Sequence, residues 1–156
     1  MFTSERTAIP NVLFKAKRPL HITPGRSKII FTETLYNHGN GYNNNTGVFT
    51  APVAGTYLFT GQLCSNHGTS IYTSIIVDGE YITRTRSYDD NSSSCCSFDV
   101  IVMLDKSSNV VIWSHSTDTE LVTSNYSWNT FTGVLLHYWR FMFSIYTVCR
   151  WKTRSC

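Results

Sequence analysis

The fold of this chain is decided by Thr46-Gly47-Val48-Phe49-Thr50-Ala51-Pro52-Val53-Ala54-Gly55-Thr56-Tyr57-Leu58-Phe59-Thr60-Gly61-Gln62-Leu63. It reads as a short strand, a Pro/Gly corner and a second strand with aromatics at alternate positions. Ala51-Pro52 ends the first strand, because proline has no N–H to give a ladder and restricts the residue before it. Gly55 supplies the turn. Beyond it Tyr57, Phe59, Gly61 and Leu63 share one face, and Thr56, Leu58, Thr60 and Gln62 the other. Small and aromatic residues sharing a face predict a packed sheet interior. No nucleophile, metal cluster or phosphate loop lies in the stretch.

Short period-two segments continue in both directions. Residues 12–17 predict a first strand with Phe14 inward, and Pro19, Pro24 and Gly25 break the next segment into a loop or short edge piece. Residues 28–36 predict the next strand, with Ile29, Phe31, Glu33 and Leu35 on one side. An Asn/Gly loop then runs from Asn37 to Gly47, full of residues that tolerate positive φ. Downstream, residues 70–77 alternate up to Asp78-Gly79, the clearest hairpin signal in the chain, whose partner strand is 80–86. Cys96, Phe98, Val100, Val102 and Leu104 repeat with period two. Residues 110–113 predict a strand, His115 to Trp128 a polar loop, and residues 129–136 a closing strand. No helix-period stretch interrupts them, so many short strands with frequent turns predict an all-β, jelly-roll sandwich.

Composition agrees. The chain has 156 residues, one domain's worth, with 15% charged and 14% aromatic residues. Charge is low against the roughly 25% usual in soluble domains. The formal charge of +3 comes from the last twenty residues: without Arg140, Arg150, Lys152 and Arg154, nine basic residues face ten acidic ones. No Lys or Arg occurs between Lys28 and Arg84. Nucleic acid is therefore not an expected partner. Residues 137–156 are aromatic and basic, lack strand punctuation and are interrupted by Arg140, so they do not read as a membrane span. They read as an extension foreign to the domain, of the kind a gene-model or splicing accident produces. Residues 1–11 read as a lead-in without an apolar run of signal-peptide length, so export by the usual route requires that the N-terminus be truncated here. Three sequons, at Asn44, Asn91 and Asn125, nevertheless fit a glycosylated, exported chain. The five cysteines leave the compartment open. Cys64 and Cys96 are expected as buried free thiols, and Cys149 and Cys156 pair between chains only if the tail is exported.

Phe14, Ile30-Phe31, Tyr42 after its Asn/Gly loop, and Gly47 to Phe59 together resemble the signature of the complement C1q-like globular domain, of the C1q/tumour-necrosis-factor superfamily. Val77-Asp78-Gly79, the strands between Leu104 and Ile112, and Asn129 to Leu136 resemble its later elements, so the likeness runs through residues 12–136. It implies a ten-stranded jelly roll assembled as a homotrimer, or as a heterotrimer with related chains, that is secreted and binds ligands without transforming them. It also implies a lectin-like, pattern-recognition role in innate immunity, with carbohydrate or a microbial surface as ligand. The alternatives are a signalling ligand for a cell-surface receptor and an inactive truncated variant. No collagen-like repeat precedes the domain in this sequence.

Candidate site residues cluster in one region. Arg84, Arg86 and Tyr88 are suited to sugars, carboxylates or a protein hot spot, and the two arginines share strand parity. The adjacent Asp89 and Asp90 are candidate calcium ligands by the family resemblance, calcium being the one candidate cofactor; a solvated acidic loop is the alternative. His21, His38, His67, His115 and His137 show no paired spacing and read as loop residues. No Gly-x-Ser-x-Gly elbow supports a catalytic serine, so no enzyme activity is expected.

Overall fold

A computed structural model describes residues 8–20, 22–24, 26–88, 91–122, 124 and 128–139. The strands are β1 (Leu13–Pro19), β2 (Ile22–Pro24), β3 (Phe31–His38), β4 (Tyr42–Asn43), β5 (Val48–Thr50), β6 (Gly55–Ser65), β7 (Ile71–Val77), β8 (Glu80–Ser87), β9 (Ser94–Leu104), β10 (Asn109–Ser114), β11 (Asp118–Glu120) and β12 (Thr130–Tyr138). No helix occurs among the described residues. Ten strands form two antiparallel sheets, ordered β3-β1-β12-β6-β9 and β4-β5-β10-β7-β8, and β2 and β11 pair as a separate ribbon. This is the expected jelly-roll sandwich.

Between the sheets lies an aromatic core whose spacing follows from the alternation of strand residues. Phe14, Phe31, Phe49, Tyr57, Phe59 and Phe131 are all fully buried. Phe14 stacks on Tyr42 at 4.8 Å between centroids and meets Phe131 edge-on at 5.0 Å, while Phe49 meets Phe59 edge-on at 5.1 Å. Such pairs each add about 0.5–1.5 kcal/mol beyond the area they bury. Two glycines make room for the rings. Gly133 sits between Phe14 of β1 and Phe59 of β6, and Gly61 between Phe131 of β12 and Phe98 of β9. The inner face of the first sheet is thus a checkerboard of glycine and phenylalanine, which explains the mix of small and aromatic residues on the Tyr57 face. At the corner before β6, the Tyr57 hydroxyl donates to the Val53 carbonyl at 2.7 Å.

The Asn/Gly loop closes one side of the sandwich. The Tyr42 hydroxyl accepts from the Phe31 N–H at 3.1 Å and donates to the Phe31 carbonyl at 3.2 Å. Asn37 in turn uses its side-chain amide to bond both the N–H and the carbonyl of Tyr42. Asn44 donates its side-chain N–H to the Thr32 carbonyl at 3.0 Å. Gly39, Asn40 and Gly47 take positive φ there.

Three expectations are corrected. The second strand begins at Phe31, not residue 28, because the Ile29 N–H donates to the Ile112 carbonyl and Ser27 accepts from the Ser114 N–H. Residues 27–29 therefore border the second sheet before the chain crosses to the first. The loop 115–128 holds β11 and the buried Leu121, which bridges to Ser65; a three-residue strand is too short to show a period. Finally, Cys64 is not a free thiol. It is bonded to Cys95, directly opposite on β9 with 4.0 Å between Cα atoms. Cys96 faces the other way and remains a half-buried thiol, its pKa raised by burial.

Candidate functional site

The hairpin between β7 and β8 turns at Asp78 and Gly79, with φ of +49° and +88°. Positive φ at both central residues is the geometry that lets a two-residue loop match strand twist. Asp78 is also tied to β10: its N–H donates to the Asn109 carbonyl at 3.0 Å, and its Oδ1 accepts the Asn109 N–H at 2.7 Å. Asn109 Oδ1 is taken by the Thr50 hydroxyl at 2.8 Å. The second Asp78 oxygen and the Asn109 Nδ2 have no partner among the described residues.

From that turn, the outer face of the second sheet is laid out in cross-strand rows. Val111, Ile76 and Tyr81 form one row; Lys28, Trp113, Ser74 and Arg84 form the next; Tyr72 and Arg86 face each other beyond. A β-bulge between Ile75 and Ile76 sets Tyr81 against Ile76, and such bulges re-aim side chains. Ile76, Val111, Trp113, Tyr81 and the Asp78-Gly79 turn, with Asn109, enclose an open cleft of about 430 Å3. The Arg84 guanidinium lies over the Tyr81 ring, 4.5 Å from its centroid. His115, just past β10, places Nε2 2.8 Å from the Ser74 hydroxyl and its ring 4.8 Å from Tyr72 and 5.6 Å from Tyr81.

Positive charge gathers on this face. Lys28 and Arg84, the two residues that bound the long cation-free run of sequence, lie in one row because β10 and β7 stand between them. Burial, Arg84 and Arg26 together hold the His115 pKa below its ordinary value of 6.5. Elsewhere cations do find carboxylates: Lys17 and Arg18 share Glu33, at 2.9 and 3.2 Å. Among the described residues, Arg26, Lys28, Arg84 and Arg86 have none.

Of the residues singled out from sequence, Arg84 and Arg86 project from this face, and Tyr88 is exposed just after β8. Asp89, Asp90 and Asn125 lie outside the described residues. No group of metal-ligating side chains occurs among the described residues. Asn91 is exposed, whereas Asn44 is half-buried against Thr32. Tyr81, Trp113, Asn109 and His115 had not been singled out for this site. Tyr81 has the opposite sequence parity to Arg84 and Arg86 and reaches their face only through the bulge, and Trp113 only because β10 lies beside β7, so alternation alone could not have found either.

The outer face of the first sheet has the opposite character. Leu13, Val134, Leu58 and Ile101 form an aliphatic row across β1, β12, β6 and β9. Ile101, Met103 and Leu136 are 63%, 73% and 52% exposed. No helix among the described residues is long and apolar enough to cross a membrane.

The C1q domain family model matches residues 13–136. Complement C1q tumor necrosis factor-related protein 3 of Mus musculus is 28% identical over 127 residues, covering 80% of this chain and 51% of that protein. Heavy metal-binding protein HIP of Mytilus edulis is 27% identical over 108 residues, covering 69% of this chain and 51% of that protein. The chain thus spans about half the length of the curated relatives it matches. Among solved structures, the globular domain of zebrafish complement 1qA superposes with a TM-score of 0.71 at 17% identity, over 82% of this chain and 98% of that one. Murine APRIL superposes with 0.66 at 14% identity, over 81% and 99%. These last two likenesses concern the fold.

Proposed function

Since the chain belongs to the C1q domain family, we propose that it is a secreted, trimeric recognition module, binding carbohydrate on a microbial or cell surface and catalysing nothing. The observation that carries this reading is the contrast between the two outer faces. One is an aliphatic row with exposed Ile101 and Met103, the kind of patch that marks an assembly surface. The other is aromatic and cationic, its cations without carboxylate partners among the described residues, the kind of surface that holds a ligand. Three such faces on one rigid body raise effective affinity without new contacts.

Secretion draws support from the Cys64–Cys95 disulfide, since such bonds persist in oxidising compartments, and from the exposed sequon at Asn91. Calcium held through Asp89 and Asp90 belongs to the same reading. Light scattering of the full chain tests assembly: a trimer is expected, shifted toward monomer by Met103→Lys, and a folded monomer at micromolar concentration overturns the reading. A glycan array repeated with a calcium chelator tests the ligand. A blank array together with capture of a cell-surface protein selects the receptor-ligand alternative.

A further inference from the structure

We propose that the outer face of the second sheet binds an acidic saccharide, its ring against Tyr81 and Trp113 and its carboxylate or sulfate against Arg84 and Lys28. The inference rests on the recognition reading above and specifies the ligand of that site.

Charge gives the sign of the ligand. Arg26, Lys28, Arg84 and Arg86 gather around this face with no carboxylate in ion-pair distance among the described residues. Asp78 stands at the far end of the cleft, and one of its oxygens is already held by the Asn109 N–H. An arginine facing a carboxylate or sulfate makes a charge-assisted bond about twice as strong as a neutral one. The shape of the face gives the class. An anion alone needs no flat hydrophobic surface, yet the cleft is walled by Trp113 and Tyr81, with Ile76 and Val111 beside them. A pyranose ring has an apolar C–H face that lies on such aromatics and a rim of hydroxyls that must be bonded. Asp78 and Asn109 both line the cleft, and the open Asp78 oxygen and the Asn109 amide nitrogen offer an acceptor and a donor for those hydroxyls.

Dimensions fit a chain of sugars better than a point charge. From Asn109 to Trp113 is four residues along β10, or about 13 Å at strand rise. An acidic peptide would use the cations and the polar pair, but a run of acidic side chains brings no apolar ring face to Tyr81 and Trp113, so it is the weaker match. His115 adds a dependence on pH. Arg84 from β8 and Arg26 disfavour its charged form, Tyr72 and Ser74 from β7 and Tyr81 from β8 pack against it, and Lys28 lies across from Trp113. A bound anion would offset that repulsion, so binding tightens as pH falls.

The test uses the full chain in calorimetric titrations with a galacturonic acid oligomer, its neutral methyl ester, and a polyglutamate peptide of equal charge. The expected result is binding of the acidic oligomer about tenfold or more tighter than the ester. Arg84→Gln should remove that preference, and Tyr81→Ala, at an exposed position, should weaken both sugars; circular dichroism checks that each variant folds. Equal affinity for acid and ester overturns the acidic ligand while leaving carbohydrate recognition standing. Sugar binding indifferent to both substitutions overturns the location. Polyglutamate bound as tightly as the acidic oligomer, and unaffected by Tyr81→Ala, overturns the saccharide. Failure to bind any sugar overturns this inference and the recognition reading together.

Discussion

Replacing Gly133 by alanine should destabilise the domain, although every local consideration points the other way. Gly133 is not among the positive-φ glycines, so its backbone suits an L-residue. By chain entropy alone, Gly133→Ala would stabilise by about 0.4–1 kcal/mol. The added Cβ, however, would lie 2.7 and 2.9 Å from Phe59 Cε1 and Cδ1, and closer still to Phe14 Cε1. Carbon contacts are optimal at about 3.5–4.0 Å, so two rings must each retreat by about 1 Å. Neither has room, since Phe14 is held by Tyr42 and Phe131, and Phe59 by Phe49. Overpacking typically costs about 1–3 kcal/mol, and two immobile rings place this case near the top, about 3 kcal/mol. With an m-value of about 2 kcal/mol per molar urea, the midpoint should fall by about 1.5 M. The assay is urea denaturation at one fixed protein concentration, because self-assembly would make stability concentration-dependent. Phe59→Leu in the Gly133→Ala background should recover part of the loss, a coupling that a cycle measures. A Gly133→Ala protein as stable as the parent, or more so, refutes the checkerboard argument.

Four other perturbations have expected outcomes. Replacing Cys64 and Cys95 together by alanine opens a link spanning 31 residues, which should cost roughly 3–4 kcal/mol and lower the thermal midpoint; an unchanged midpoint would mean the bond constrains nothing. Cys96, with its raised pKa, should react slowly with iodoacetamide in the folded protein and fast in urea. His115 has a folded pKa below 6.5, so the unfolded chain takes the proton first. The stability linked to the neutral ring is complete above that value and is lost as pH falls toward the folded pKa. His115→Gln should flatten this slope as pH falls below 6.5, and an unaltered slope counts against the assignment. In secretory cells, glycan should be found at Asn91 and absent from Asn44, whose amide nitrogen serves Thr32; peptide mapping after deglycosylation reads this directly.

Much of the sandwich was legible because alternation within a strand is a local property. Asp78-Gly79 announced its hairpin, and the Cys96-to-Leu104 alternation its strand. What stayed hidden depends on which strands become neighbours. Parity placed Cys64 and Cys96 on their own strands but gave no register between β6 and β9, so the partner proved to be Cys95. The proposed binding face was half visible for the same reason. Arg84 and Arg86 share one strand, whereas Trp113, Asn109 and His115 reach them only because β10 lies beside β7. Charge was the subtlest case. A run free of Lys and Arg argued against a nucleic-acid groove, yet the fold brings its two ends, Lys28 and Arg84, into a single row.

The bonds that Tyr42, Asn37 and Asn44 make at the β3 border bear on how large an assembly can become. A bare strand edge is a template that accepts a copy, which presents the same edge again, so growth has no natural stop. Here Phe31 and Thr32, near the start of β3, already spend hydrogen-bonding groups on a phenol and a carboxamide from their own chain. An incoming strand would find that stretch occupied. Association through the aliphatic face, as proposed above, can instead close by symmetry, exhaust the sticky surface and end the assembly at a finite number of subunits.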